Sequence, residues 1–247
     1  MSLQFFKNRA TVRSYSDREI SDAQLEEMLH LASQAPNTGN MQWYSVIVSR
    51  NDEIKKLLAP EHFNQPQVES AAAVLTFCVD LNRFEKWCRL NGAEPGYENF
   101  QSFIAAFIDT CLFAQQFCTI AEMSGIGTCY LGTTTYNAPR IAGILSLPDR
   151  VVPVTTVTLG YPAGGVFPDP SFRLSPRAVI HKEKYVEPSE DNIREWYAPL
   201  EKESQHFVEE NNKQSLAQVF TDIRYAREAN EYFSKVYLDF IRQNRFI

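Results

Sequence analysis

The chain has 247 residues, 44% hydrophobic and 13% aromatic, enough for one full core, and its length alone allows one domain or two. A net charge of −6, a pI near 5.3 and no Lys/Arg run argue against nucleic acid or an anionic membrane as partner. The opening MSLQFFKNRA has no long apolar stretch and no small-residue cleavage pattern, so no signal peptide is expected. The five cysteines (Cys78, Cys88, Cys111, Cys118 and Cys129) form no C-x-x-C, which points to reduced thiols in the cytoplasm, with no disulfide framework and no zinc site.

In chain order, Ser2 to Asn8 predicts a short helix and Arg9–Ser16 a bend. Ser21 then caps a well-marked helix, with Gln24 completing a capping box and Ile20 placed to staple onto Leu25. Leu25, Met28, Leu29 and Ala32 form its apolar stripe, and it stops before Pro36. Asn37-Thr38-Gly39-Asn40 is loop by composition. Trp43–Ser49 reads as a strand, Asp52–Leu58 as a short helix and Glu61–Gln67 as loop. Ala71–Val79 is a near-continuous apolar run, the mark of a central strand buried on both faces. Asp80–Asn99 reads as a polar insertion.

The stretch from Phe100 to Gly132 organises the rest. From Phe103 to Met123 apolar residues occupy every face of the helical wheel, which predicts a helix of roughly 35 Å, buried all round. Gln101, Asp109, Gln115, Gln116 and Glu122 leave no apolar run of about 18 residues, so a membrane span is not expected. Gly125 suits a left-handed helix end, and Thr128–Gly132 starts a strand whose end, with Thr133-Thr134-Thr135, is placed to touch a ligand. Asn137–Leu145 is helical and Val151–Leu159 is a further β-branched strand. From about Glu187 the chain is charged and helical. Tyr232-Phe233, Val236-Tyr237 and Phe240-Ile241 form an amphipathic stripe over residues 226–243, which must pack on the body or on a partner; a partner contact is slightly favoured. The alternation of helix and strand argues a sheet with helices on it.

Arg9 and Arg13, with the Thr11 hydroxyl between them, can converge on one anion; spacing alone favours two solvent-exposed arginines. Arg173 is a possible third. The amides of Asn37–Gln42 suit a heterocycle, although taken alone they favour turn chemistry, and Gln65, in a loop just before a buried strand, suits a ligand carbonyl. Gly125-Ile-Gly127-Thr-Cys-Tyr130 fails the dinucleotide fingerprint, because Tyr130 replaces the third glycine and a helix precedes it. His30, His62, His181 and His206 have no metal-ligand spacing and are taken as structural or exposed. With no side-chain nucleophile and no metal site in view, an enzyme built on this chain is expected to use an organic cofactor.

Taken together, RATVRSYSDREIS (Arg9–Ser21), APNTGNMQW (Ala35–Trp43), GIGTCYLGTTTYN (Gly125–Asn137), LSLPDRVVPVTTVTLGYPA (Leu145–Ala163) and SFRLSP (Ser171–Pro176) resemble the FMN-dependent nitroreductase family. The ending YFSKVYLDFIRQNRF (Tyr232–Phe246) is similar to the tail of its NADPH-preferring branch, which includes the oxygen-insensitive nitroreductases and flavin reductase P. The resemblance implies an α+β fold: a nitroreductase-like three-layer sheet with flanking helices, a long central helix and a helical C-terminal extension. It implies a core over 1–185 and an extension over 186–247 that packs on the core or the partner subunit. It further implies a cytoplasmic homodimer with FMN at the interface and NADPH as electron donor. The implied activity is ping-pong, two-electron reduction of small-molecule acceptors such as nitroaromatics, quinones or free flavin.

Mapped by motif, Arg9, Thr11 and Arg13 match phosphate contacts and Ala10 supplies backbone. Asn37 matches a contact made from the neighbouring subunit, and Gln65 a glutamine at the flavin ring. Tyr130, Leu131, Gly132 and Thr133 match the segment beside the isoalloxazine, and Arg173 the second member of a Lys-x-Arg pair. No residue is assigned a catalytic acid–base role. Ser171 stands in place of that lysine and Thr133 in place of a second glycine. A flavin-binding protein of the same fold without efficient NAD(P)H turnover is the alternative. Other chemistry on the same fold, such as reductive dehalogenation, lacks supporting residues.

Overall fold

A computed structural model of the chain describes residues 3–247. The first helix runs Gln4–Lys7, and Ser2, expected at its start, lies outside the described residues. Two compact units are formed: residues up to Asp169 together with Phe233–Ile247, and separately Pro170–Tyr232.

The first unit is built on four antiparallel strands: β1 (Tyr44–Ser49), β2 (Ala73–Asp80), β3 (Gly127–Leu131) and β4 (Val151–Gly160), in the order β1-β2-β4-β3. Every residue of β2 and β4 is buried, because both strands are internal and covered on both faces. Period-2 alternation divides their side chains. Leu75, Phe77, Val157 and Leu159 face the first long helix (Asp22–Ala32) and the central helix (Phe100–Met123). Val74, Cys129 and Leu131 face Leu58, Val68 and Ile141 on the opposite side. This is the expected three-layer arrangement. Each large apolar side chain so buried contributes about 1.5–3 kcal/mol.

Ser21 accepts from the Gln24 amide as a cap should, but the Gln24 side chain reaches Tyr161 Oη instead of closing the box. Gly125 ends the central helix at φ 78°, in the left-handed region that glycine tolerates. Glu61–Gln67, read as loop, contains a turn of 3-10 helix (Pro60–His62) and the start of a helix (Pro66–Ser70). The insertion after β2 is also more ordered than its polarity suggests: Asn82–Leu90 is helical, with Glu85 and Cys88 buried.

The central helix is not buried all round. Phe103, Ala106, Phe113, Ala114, Phe117 and Ala121 pack inward. Ile108 and Leu112, one turn apart, are 52% and 39% exposed, and Phe100 and Met123 are exposed beyond them. Among the described residues it is the one helix long and apolar enough to cross a membrane by length and composition.

From Phe233 onward the tail helix (Arg227–Gln243) lies on the core of its own chain. Ile241 and Phe246 are buried beside Phe103, and Tyr237 Oη donates to the Pro153 carbonyl at 3.1 Å. Pro170–Tyr232 contains the helix Glu190–Glu203, opened by a capping box between Ser189 and Asn192, and a small apolar cluster of Leu200, Val208, Leu216 and Val219.

Candidate functional site

Two glycines let the N-terminal segment lie against the sheet. A Cβ on Gly127 would stand 2.5 Å from Val12 Cβ, and one on Gly160 2.8 Å from the Tyr15 ring. The Val12 amide donates to the Thr128 carbonyl at 3.0 Å, and Tyr15 pairs with Pro162. Arg9, Thr11 and Arg13 are thereby carried alongside β3.

Arg9 is held at both ends. Its Nη1 donates to Thr11 Oγ1 at 3.1 Å. Its Nε and Nη2 donate to the two carboxylate oxygens of Glu122 at 3.3 and 3.1 Å. Glu122 is buried near the C-terminal end of the central helix and also accepts from the Thr128 hydroxyl. Glu122 reads from sequence only as a polar interruption of the helix. Its role comes from a partner 113 residues away. Arg9, Ala10 and Glu122 border a cleft of about 290 Å³, closed by Phe5, Asn8 and Phe167.

Cys129 ties these residues to the Gln65 turn. Burial pushes its thiol up, and the Arg13 charge, the Gln67 amide and Arg9 partly offset the shift. Gln67 Nε2 donates to Gln65 Oε1 at 2.9 Å, which occupies the Gln65 carbonyl and leaves its NH2 to donate. The same turn reaches the end of β3 from its other side: His62 Nδ1 lies 2.9 Å from Thr133 Oγ1, and Asn137 donates to the Glu61 carbonyl at 2.8 Å. His62 is fully buried, a structural partner the sequence does not mark.

One arrangement therefore gathers Arg9, Ala10, Thr11, Arg13, Gln65 and Tyr130–Thr133. Tyr130 is half-exposed, and a Cβ on Gly132 would meet nothing within 4 Å, so this strand end is open to a planar ligand. Asn37 is elsewhere. Its Oδ1 accepts from the Gln42 amide, and the adjacent Thr38 donates through both its amide and its hydroxyl to Asp109 of the central helix. Arg173 lies in Pro170–Tyr232, where its Nη1 donates to the Ser171 and Phe172 carbonyls. Among the described residues, no group of three His, Cys, Asp or Glu side chains is placed to hold a metal ion.

The chemistry available is that of a binding site: fixed cationic donors at one end, amide donors and an open backbone at the other. The family model for Nitroreductase matches residues 6–161. The chain is 31% identical over 185 residues to the Cr(VI) reductase of Pseudomonas sp. (strain G-1), covering 75% of each. It is 29% identical over 186 residues to the FMN reductase (NADPH) of Bacillus subtilis (strain 168), covering 74% of each. A crystal structure from Bacteroides fragilis NCTC 9343 is 46% identical with a TM-score of 0.96, over 99% of this chain and 100% of that one. The chain belongs to the nitroreductase family.

Proposed function

We propose that the protein is an FMN-dependent NAD(P)H oxidoreductase that reduces small acceptors (nitroaromatics, quinones or free flavin) by two electrons at a time. The observation that carries this reading is the convergence of Arg9, Thr11 and Arg13 with Gln65 and the open strand end at Gly132. That donor set fits FMN. Two guanidiniums and a hydroxyl suit a phosphate, and an amide donor beside exposed backbone suits a flat heterocycle with carbonyl acceptors. The relatives named as a Cr(VI) reductase and as an FMN reductase (NADPH) support the same class. FMN, when bound, supplies the two-electron carrier that NADPH reduces and the acceptor reoxidises. The chain's own part is to bind and orient. Arg9, fixed by Glu122, and Arg13 hold the phosphate, Ala10 approaches it with backbone, and Gln65 and Tyr130–Thr133 border the ring. Among these residues none is needed as an acid or base.

The proposal includes a cytoplasmic homodimer. Ile108, Leu112, Phe100 and Met123 leave an apolar face on the central helix that a second copy would cover. Asn37 sits beside that face, because Thr38 is bonded to Asp109, one residue from Ile108. Asn37 would then serve the neighbouring subunit's cofactor. The five free cysteines suit a reducing compartment.

Steady-state kinetics with NADPH and a nitroaromatic test the reading. Parallel double-reciprocal lines with NADPH as the varied substrate are expected. FMN-loaded protein that fails to oxidise NADPH when a nitroaromatic, a quinone or free flavin is supplied would contradict it.

A further inference from the structure

Thr133 departs from the family's second glycine, and its side chain is not loose: His62 Nδ1 lies 2.9 Å from its Oγ1. His62 is fully buried, and its Nε2 has no hydrogen-bond partner. Two neutral tautomers are compatible with the contact. In one, Nδ1 accepts from the threonine hydroxyl and Nε2 carries the hydrogen, which buries an unpaired N–H. In the other, Nδ1–H donates to Oγ1 and Nε2 is a bare lone pair. The second tautomer leaves no N–H buried without an acceptor and is the one adopted for the inference below. Protonating both nitrogens is opposed by burial, which pulls His62 down to about 4.

With Oγ1 accepting from His62, the hydroxyl hydrogen of Thr133 must point elsewhere. Thr133 is only partly buried, and Gly132 beside it borders open space. Thr134, the next residue, has already turned its own hydroxyl inward to the Leu131 carbonyl and Thr156.

We infer that His62 is a positioning residue which, as the Nδ1–H tautomer, turns Thr133 into an oriented hydroxyl donor facing the cofactor ring. The chain then offers a side-chain donor where the family pattern has a bare glycine. This role rests on the reading of Tyr130–Thr133 as a flavin-binding segment.

Two measurements test it. Long-range 1H–15N NMR of the FMN-loaded protein, with the three other histidines replaced by glutamine, reads the tautomer directly. A protonated-type shift at Nδ1 and an unprotonated-type shift at Nε2 are expected, and the reverse pattern overturns the inference. FMN titration of the Thr133 variants reads the donor. Thr133→Val should weaken binding about three- to tenfold and Thr133→Ser should retain it, the scale of one neutral hydrogen bond. Unchanged affinity in Thr133→Val, with FMN bound normally by the wild type, overturns this role alone. A wild-type protein that binds no FMN overturns the functional reading and this role with it, whatever tautomer His62 adopts.

Discussion

Three buried glutamates each hold an arginine, Glu61 with the exposed Arg140, Glu85 with Arg150 and Glu122 with Arg9, and the last two pairs end differently. Arg150 and Glu85 are 2% and 3% exposed at their side chains. Nε and Nη2 of Arg150 donate to Glu85 Oε1, Nη1 donates to the Asn244 and Arg245 carbonyls, and Nη2 also reaches the Tyr97 carbonyl. Every guanidinium N–H has an acceptor, and the Phe246 ring lies 4.0 Å from the group. Arg9 and Glu122 form a pair of the same chemistry, but Arg9 is 30% exposed against 5% for Glu122. Glu122 and Thr11 occupy only part of its fork, and the rest borders the cleft beside Phe5 and Phe167. A closed pair has nothing left to offer and fastens the C-terminus to the core. An open pair has its direction set by the protein and its remaining donors free for a ligand.

The largest effect that could break this comparison is on the closed pair. Arg150→Met should cost about 3–5 kcal/mol, because the buried Glu85 would lose its one buried partner and keep only the half-exposed Arg89. Urea unfolding reads this, and a wild-type midpoint would mean that the pair does not fasten the tail. Arg150→Met combined with Glu85→Gln should recover part of the loss.

His62, the buried group on the opposite side of the site, gives the next largest effect. Burial lowers its pKa from 6.5 to about 4 in the folded protein. Below pH 6.5 the unfolded chain therefore binds the extra proton first, so stability is retained above that pH and falls as the pH drops toward 4. The loss should approach about 3 kcal/mol across that window and be absent above it. A His62→Gln protein that shows the same acid slope would assign the loss to other groups.

The open pair should behave in the opposite way to the closed one. Arg9→Met with Glu122→Gln removes both partners and should leave the unfolding midpoint nearly unchanged, while FMN affinity falls about ten- to hundredfold, the scale of a charged hydrogen bond. Arg13→Ala, at an exposed position, should lose FMN affinity on the same scale with no effect on the fold. If the double variant binds FMN normally, Arg9 is as structural as Arg150 and the contrast disappears. The smallest effect is on the thiols. Cys118 is pushed up to about 12, chiefly by burial, and no disulfide is formed, so reductant should leave the midpoint where it is.

The elements with a local signal were legible in the sequence: the Ser21 cap, the apolar β2 run, the left-handed Gly125 and the late amphipathic stripe all lie where their residues point. What was not legible depends on partners far along the chain. Asn82–Leu90 reads as polar because its buried face includes Glu85, whose partner Arg150 is 65 residues away. The pairing of Glu122 with Arg9 and of His62 with Thr133 is invisible to spacing for the same reason. The central helix shows the converse. Its wheel gives no hint which apolar residues the chain itself covers, and Ile108 and Leu112 remain outside. Motif order carried the family assignment, while the geometry of individual site residues needed the fold.

The most direct measurement is a visible absorption spectrum of the purified protein, repeated in the same cuvette under argon after adding NADPH. A flavin spectrum that NADPH bleaches is the predicted result. A colourless protein that does not take up added FMN, or a bound flavin that neither NADPH nor NADH bleaches, would contradict the account.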